Sequence, residues 1–483
     1  MISHHHESRQ IRRFNERTKA KAEAADQKAD KQAYIQINFL ISKVFKGDEL
    51  EELAYKLGIM ERQRELTTLG FISVLMMGCI CDTSDDGMRS LRRMCLLLHN
   101  DFFGRIHIRP QALFKKINRI ETSGFIKEVM SRIMAYKIDR SLKKNLKKCK
   151  GKIASLYRIL LQDSTVISLP DSLKRIFRGC GGAASEAAVK CDYIIDQSNH
   201  ILVRVKFVAG RIPDVSMSAD IIDYIAEGDL VIRDLGYFQL TQLSRIIGKN
   251  GHFISRLSKT ANVYLNKDDQ EPVDLIIHLS KLKIDGDIEI YVGKIERLKV
   301  RLIGIKVPPE VVEARRKRHK ENRKKQEPSE ELQEWNGYTL MVTDIPKEAL
   351  SLKMVLKLYR IRWQIELFFK NIKSNLCVDN LTGKNKYRIL CILYIKIALT
   401  WVVANLYAYA QALVGIAMEV SLDQFTKWLK EEGRLKIAFL TSDISSLLEE
   451  LERDVYLLCK QKRKRKSTMQ DIEATYMEEH NAA

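Results

Sequence analysis

Between Ile389 and Met418 the chain reads ILCILYIKIALTWVVANLYAYAQALVGIAM. A run this apolar is hidden either by a bilayer, which about 20 such residues cross, or by a large protein core. Lys396 lies in its first third, and Asn405 and Gln411 follow. These polar groups favour the core. We therefore expect a buried helix and no membrane, with a bilayer span as the alternative. The chain is large enough to provide that core. Its 483 residues exceed the usual size of a single compact domain. At 45% hydrophobic and 30% charged, the composition is globular and not disordered.

Upstream the texture changes twice. Residues 1–34 are polar and charged and read as a solvated helix or an arm. From about Ile35 to Ile138 apolar residues recur at helical spacing. Ser90–Asn118 fits two short helices around a turn near Gly104, with Arg109-Pro110-Gln111-Ala112-Leu113 opening the second. That is either a DNA-reading helix-turn-helix or an ordinary helical hairpin. A basic run follows at 140–152. Strand texture then appears at Ser155–Ser168, Lys190–Ile195, Ile201–Val208, Leu230–Arg233 and His252–Leu257. Helices are expected at 218–227 and from Phe238 to Gly248. This order predicts a mixed sheet with helices packed on it. Short strands at Val263–Tyr264, Val273–Leu279, Ile288–Val292 and Val300–Val307 suggest an all-β insertion. A basic stretch from Arg315 to Lys325 follows, then a strand at Trp335–Thr343. The expected divisions are a helical N-terminal region (1–150) that binds DNA ends, a core in two parts (151–258 and 336–445), the insertion (259–335) and a basic tail (446–483).

Charge narrows the partners. Lys and Arg number 82 against 61 Asp and Glu, a net charge of +21. Such a surplus suits a polyanion, because each neutralised phosphate releases a counterion. Nucleic acid and an anionic membrane surface both fit. The nine cysteines include no C-x-x-C pair, so zinc-ribbon and dithiol redox chemistry have no support. With no secretory signal evident, a cytoplasmic location is expected.

The helical pattern from about Leu350 to Leu376 carries the candidate chemistry. On a continuous helix, Tyr359, Arg362, Glu366 and Lys373 fall within a sector of ~60°. Leu358, Ile365, Phe369, Ile372 and Leu376 form an adjoining apolar sector. A carboxylate among cations is also what a surface salt-bridge ladder looks like. Two aspartates shift the balance. Asp163 lies inside an apolar strand, where a charge is costly unless paired or metal-bound. Asp234 ends another apolar strand, and strand ends are where such sheets bind ligands. Three carboxylates converging on Mg²⁺, an oxygen-seeking ion, would suit chemistry at phosphorus.

The spacing Y-x2-R-x3-E-x6-K, the segment YRIRWQIELFFKNIKSNL, Asp234-Leu235-Gly236-Tyr237-Phe238 and Asp163-Ser164-Thr165 together resemble bacterial insertion-sequence transposases of the DDE class. Leu340–Pro346 is similar to the strand before their last catalytic helix. The resemblance covers roughly residues 155–410. It implies an α/β, ribonuclease H-like mixed sheet with an all-β insertion before that helix. It implies Asp163, Asp234 and Glu366 as catalytic metal ligands for Mg²⁺, with Mn²⁺ as a substitute. Tyr359, Arg362 and Lys373 would contact DNA near the cleaved phosphate, with Arg256 as a weaker candidate. The implied partners are double-stranded transposon ends and target DNA, held by a homodimer. The implied activity is metal-dependent cleavage and strand transfer. The alternatives are a nuclease without strand transfer and a catalytically dead DNA-binding protein.

Overall fold

The structure is a computed structural model. It describes residues 47–59, 66–81, 95, 109–135, 158–181, 185–198, 200–281, 286–322, 327–378, 381, 383–414, 418–431, 434 and 445–460. The basic run at 140–152, the first helix of the expected helix-turn-helix (apart from Cys95), the N-terminal arm and the Lys462–Lys466 tail lie outside these residues. The chain divides into two compact units. One takes in Met1–Ser155, Thr165–Arg211 and Glu366–Ser467, the other Leu156–Ser164, Ile212–Ile365 and Thr468–Ala483.

In the first unit, described residues from 47 to 135 form helices α1 (Gly47–Lys56), α2 (Thr68–Cys81), α3 (Pro110–Ile117) and α4 (Ile120–Ala135). Pro110 opens α3 as expected, at a position where its missing N–H costs nothing. The second half of strand β1 (Arg158–Leu169) stands beside β2 (Ala187–Asp196), which pairs antiparallel with β3 (Ile201–Ala209). Helix α10 (Trp363–Leu376) lays its apolar side on β2, with the Phe369 ring 5.2 Å from that of Tyr193. The long apolar run is helix α11 (Lys386–Val414), packed against α2, α4 and β3. It is long and apolar enough to cross a membrane, yet 94% of its most apolar window is buried within the protein. Lys396 is buried there, and its Nζ donates to the carbonyl of Cys377 just beyond α10. The unit closes with α12 (Leu422–Lys430) and α13 (Ser445–Asp454).

The second unit continues the sheet from the first half of β1, in the order β1-β4-β5-β9-β8-β7-β6. Strands β4 (Asp229–Arg233) and β5 (His252–Arg256) run parallel to β1, whereas β9 (Tyr338–Thr343), β8 (Leu298–Lys306), β7 (Gly286–Val292) and β6 (Val263–Tyr264) continue antiparallel. Among the described residues, seven strands of this unit make a mixed sheet. Helix α5 (Leu240–Gly248) bridges β4 and β5 with Leu243 and Ile246 buried. The Arg158–Asp229 ion pair is buried at the start of β1 and β4; Arg158 also donates to the Tyr224 carbonyl, and Asp229 accepts from the Ala226 amide.

Four expectations are corrected. The insertion is not all-β: α6 (Leu275–Lys281), α7 (Pro309–Asn322) and α8 (Glu330–Asn336) lie within it, and β7 and β8 join the main sheet through β9. The expected strand at Val273–Leu279 is α6 because the Asp274 side chain accepts the Ile277 amide at 3.0 Å, an N-cap that overrides the β-branched residues. The expected helix at 218–227 contains only a one-turn 3₁₀ segment, Ile222–Tyr224, among irregular turns. The long helix is broken. It runs as α9 (Leu352–Arg360), turns at Ile361 and Arg362, and resumes as α10.

Candidate active site

Parallel pairing fixes where the two aspartates stand. Register places Gln162 of β1 across from Arg233 of β4. Asp163 and Asp234 each follow this last pair by one residue and therefore stand at the same level. Neighbouring strands lie about 4.8 Å apart, so the two carboxylates are side by side. Asp163 is still within β1, and its Oδ1 accepts the Ser164 amide at 2.8 Å. Asp234 has left the strand and begins a 3₁₀ turn, Leu235–Tyr237.

Two of the expected site residues reach these carboxylates. The Tyr359 hydroxyl donates to Asp234 Oδ1 at 3.4 Å, and Arg362 Nη1 donates to Asp163 Oδ2 at 3.4 Å. The Arg362 guanidinium lies 5.9 Å from the centre of the Tyr359 ring. Burial, reinforced by the Asp234 charge, pushes the Tyr359 hydroxyl up to about 12, while Arg362 and Arg256 pull it the other way. Tyr359 is therefore a neutral donor at physiological pH. Arg256 stands at the end of β5, and its charge acts on the Tyr359 hydroxyl.

Glu366 and Lys373 lie in the first unit, on α10. They are seven residues apart, two turns on one helix, and so share a stripe. Lys373 Nζ donates to the Val166 carbonyl in the second half of β1 at 3.1 Å. The break after α9 means that Tyr359 and Arg362 do not share a continuous helix with Glu366 and Lys373, as periodicity alone had implied. Its cause is local. The amides of Ile361, Arg362, Gln364 and Ile365 bond to carbonyls three residues back, the tighter 3₁₀ pattern that often marks a functional bend.

Part of the basic stretch is satisfied within its own unit. Arg315 donates to the carbonyls of Asn336 and Tyr338 and to Thr339 Oγ1. Arg316 and Lys320 both pair with Glu327. The sequence also gave no hint of Asp214, fifty residues from Ser164, whose Oγ donates to it at 2.8 Å.

Carboxylate oxygens are the donors that Mg²⁺ and Mn²⁺ take, and the paired aspartates, in contact with a cation and a hydroxyl, fit such an ion chemically. Among the described residues, no group of three or more His, Cys, Asp or Glu side chains is gathered closely enough to hold one.

Residues 154–402 match the family described as the Transposase DDE domain. The chain belongs to that family. It is therefore a DNA transposase, an enzyme of the polynucleotidyl transferase type that uses a divalent metal. This transposase is 28% identical over 368 residues to the transposase for insertion sequence element IS231F of Bacillus thuringiensis subsp. israelensis, covering 72% of this chain and 75% of that one. It is 27% identical over 303 residues to the transposase for insertion sequence element IS1151 of Clostridium perfringens, covering 59% and 63%. A solved synaptic complex of piggyBac transposase with hairpin DNA is similar at TM-score 0.41 and 11% identity, over 92% of this chain and 87% of that one. That likeness is too slight to define the fold.

Proposed function

We propose that this transposase acts in the cytoplasm on the ends of its own insertion sequence. It binds the terminal inverted repeats as a homodimer, frees a 3′-hydroxyl at each end and joins it to target DNA. Its core is ribonuclease H-like. Asp163, Asp234 and Glu366 hold Mg²⁺, and Mn²⁺ substitutes. The observation that carries this reading is the parallel β1–β4 register, which sets Asp163 and Asp234 side by side under Tyr359 and Arg362.

A bound divalent ion supplies Lewis acidity to the attacking oxygen and to the departing one. The chain's own residues do the rest. Arg362, Lys373 and Arg256 neutralise the phosphates and hold the strand in place. Arg362 is able to grip phosphate in a fork, whereas Lys373 acts as a point charge. Tyr359, kept protonated, donates its hydroxyl to a phosphate oxygen. In cleavage, a water oxygen bonds to phosphorus and the 3′ oxygen leaves as a hydroxyl. In joining, that hydroxyl attacks a target phosphodiester and displaces the target's own 3′ oxygen.

The test is to incubate the protein with Mg²⁺ and duplex DNA bearing one element end, then add target DNA. Nicking at the end followed by joined product is expected. Asp234→Asn and Glu366→Gln should each abolish both steps while end binding persists. Unchanged cleavage by either variant would overturn the three-carboxylate assignment.

A further inference from the structure

Both aspartates are bracketed by residues tied to one short segment, the 3₁₀ turn Asp214–Met217 and the following Ser218. Side chains alternate along β1, so Gln162 and Ser164 point away from the face that carries Asp163. Both reach this turn. Gln162 Nε2 donates to the Met217 carbonyl at 3.0 Å, and Ser164 Oγ donates to Asp214 Oδ1 at 2.8 Å. The β4 side repeats the arrangement. Arg233, directly before Asp234, donates through Nη1 to the Ser218 carbonyl at 2.7 Å. Gly236, two residues after Asp234, lies so close to Asp214 that a Cβ there would come within 3.0 Å of Oδ2. Ser218 Oγ donates to Gln239 Oε1 at 2.6 Å. Gln162, Arg233 and Ser218 are buried, so these bonds are shielded from water.

We propose that the Asp214–Ser218 turn is a strap that sets the separation of the Asp163 and Asp234 carboxylates, with Asp214 as its principal positioning residue. The two strands carry the carboxylates, but only Asp163 lies within its strand, and Asp234 has just left β4. The β1–β4 ladder ends at the Gln162–Arg233 pair, so its hydrogen bonds do not fix the separation of the two carboxylates. The strap replaces that constraint by holding the residues on either side of each aspartate. Asp214 touches both brackets, through Ser164 on one and Gly236 on the other. Metal affinity depends on such supporting contacts because they hold the ligands in their binding geometry. The inference rests on the assignment of Asp163 and Asp234 as metal ligands.

The experiment uses full-length protein and Mn²⁺ alone as probe, with binding followed by the paramagnetic resonance signal of the free ion. The Mg²⁺ concentration for half-maximal cleavage of end DNA is measured alongside. Asp214→Ala should weaken Mn²⁺ binding about tenfold or more, the usual cost of losing a supporting contact, and raise the Mg²⁺ requirement in parallel. Asp214→Asn keeps an oxygen to accept the Ser164 hydroxyl and should stay within about threefold of wild type on the same scale. Wild-type Mn²⁺ affinity in Asp214→Ala, with affinity lost in Asp163→Ala and Asp234→Ala, overturns the strap. An Asp214→Asn variant as defective as Asp214→Ala also overturns it, since the carboxylate would then be needed for itself. If Asp163→Ala and Asp234→Ala both retain Mn²⁺ affinity, the metal assignment beneath the inference falls instead. Should Asp214→Ala fail to fold by circular dichroism, Ser164→Ala removes the other half of the same hydrogen bond and carries the same expectations.

Discussion

Replacing Tyr359 with Phe isolates one hydroxyl. The ring is retained, so no cavity opens and the contact with the Arg362 guanidinium, 5.9 Å from its centre, is undisturbed. What disappears is a donor 3.4 Å from Asp234 Oδ1. A charge-assisted hydrogen bond of ordinary length contributes about 1.5–3 kcal/mol, and this one is near the outer limit of useful geometry. Asp234 is only half-buried, so water replaces the lost donor. The folded state should therefore lose about 1 kcal/mol or less. Catalysis should lose more. If the hydroxyl moves to a phosphate oxygen in the transition state, it makes there a bond of full strength, and its loss costs about 1.5–3 kcal/mol. That converts to a rate roughly 10-fold to 100-fold lower. The assay is single-turnover nicking of end DNA at saturating Mg²⁺, with end binding and melting temperature measured on the same preparation. Nicking within about twofold of wild type, on intact binding, would refute the assigned role, because so small a change is under about 0.5 kcal/mol.

Two further outcomes test the framework around the site. Arg158→Leu removes one member of a buried ion pair whose Asp229 partner is 5% exposed; stranding that carboxylate should lower the unfolding free energy by about 3–5 kcal/mol in urea titrations, and adding Asp229→Leu should restore most of it. His252 hydrogen-bonds Asp344 Oδ2 at 2.7 Å, and that bond raises its pKa above the ordinary 6.5 against the opposing effect of burial. A raised folded-state pKa gives stability that is complete below about pH 6.5 and is lost as pH rises through the folded value. Melting temperatures across this range should show that decline in the wild type and a flatter profile in His252→Gln.

Much of the sheet was legible because strand texture is local. Branched residues between turn formers marked β1 through β5 to within a few residues. The basic partner surface was less legible, since charge counts do not reveal where charges are spent. Arg315, Arg316 and Lys320 read as an exposed basic run but are bound to carbonyls and to Glu327. Lys396 posed the membrane question in the sequence; in the fold it donates to the carbonyl at the end of α10, a favourable place for a cation. Asp214 could not be found at all. Its partner Ser164 is fifty residues away, and no periodicity links a turn to a strand across that distance.

The break between α9 and α10 gives the spacing of Tyr359 and Arg362 a physical meaning that periodicity could not. Residues three apart on a helix have Cβ atoms about 5–6 Å apart. Neighbouring strands are separated by about 4.8 Å. Tyr359 and Arg362 are three apart, and they contact aspartates on the neighbouring strands β4 and β1 respectively. The Y-x2-R step thus matches the inter-strand distance, so one donor falls over each carboxylate. The Arg362 amide bonds to the Tyr359 carbonyl at 3.1 Å, which closes this step as a single tight turn.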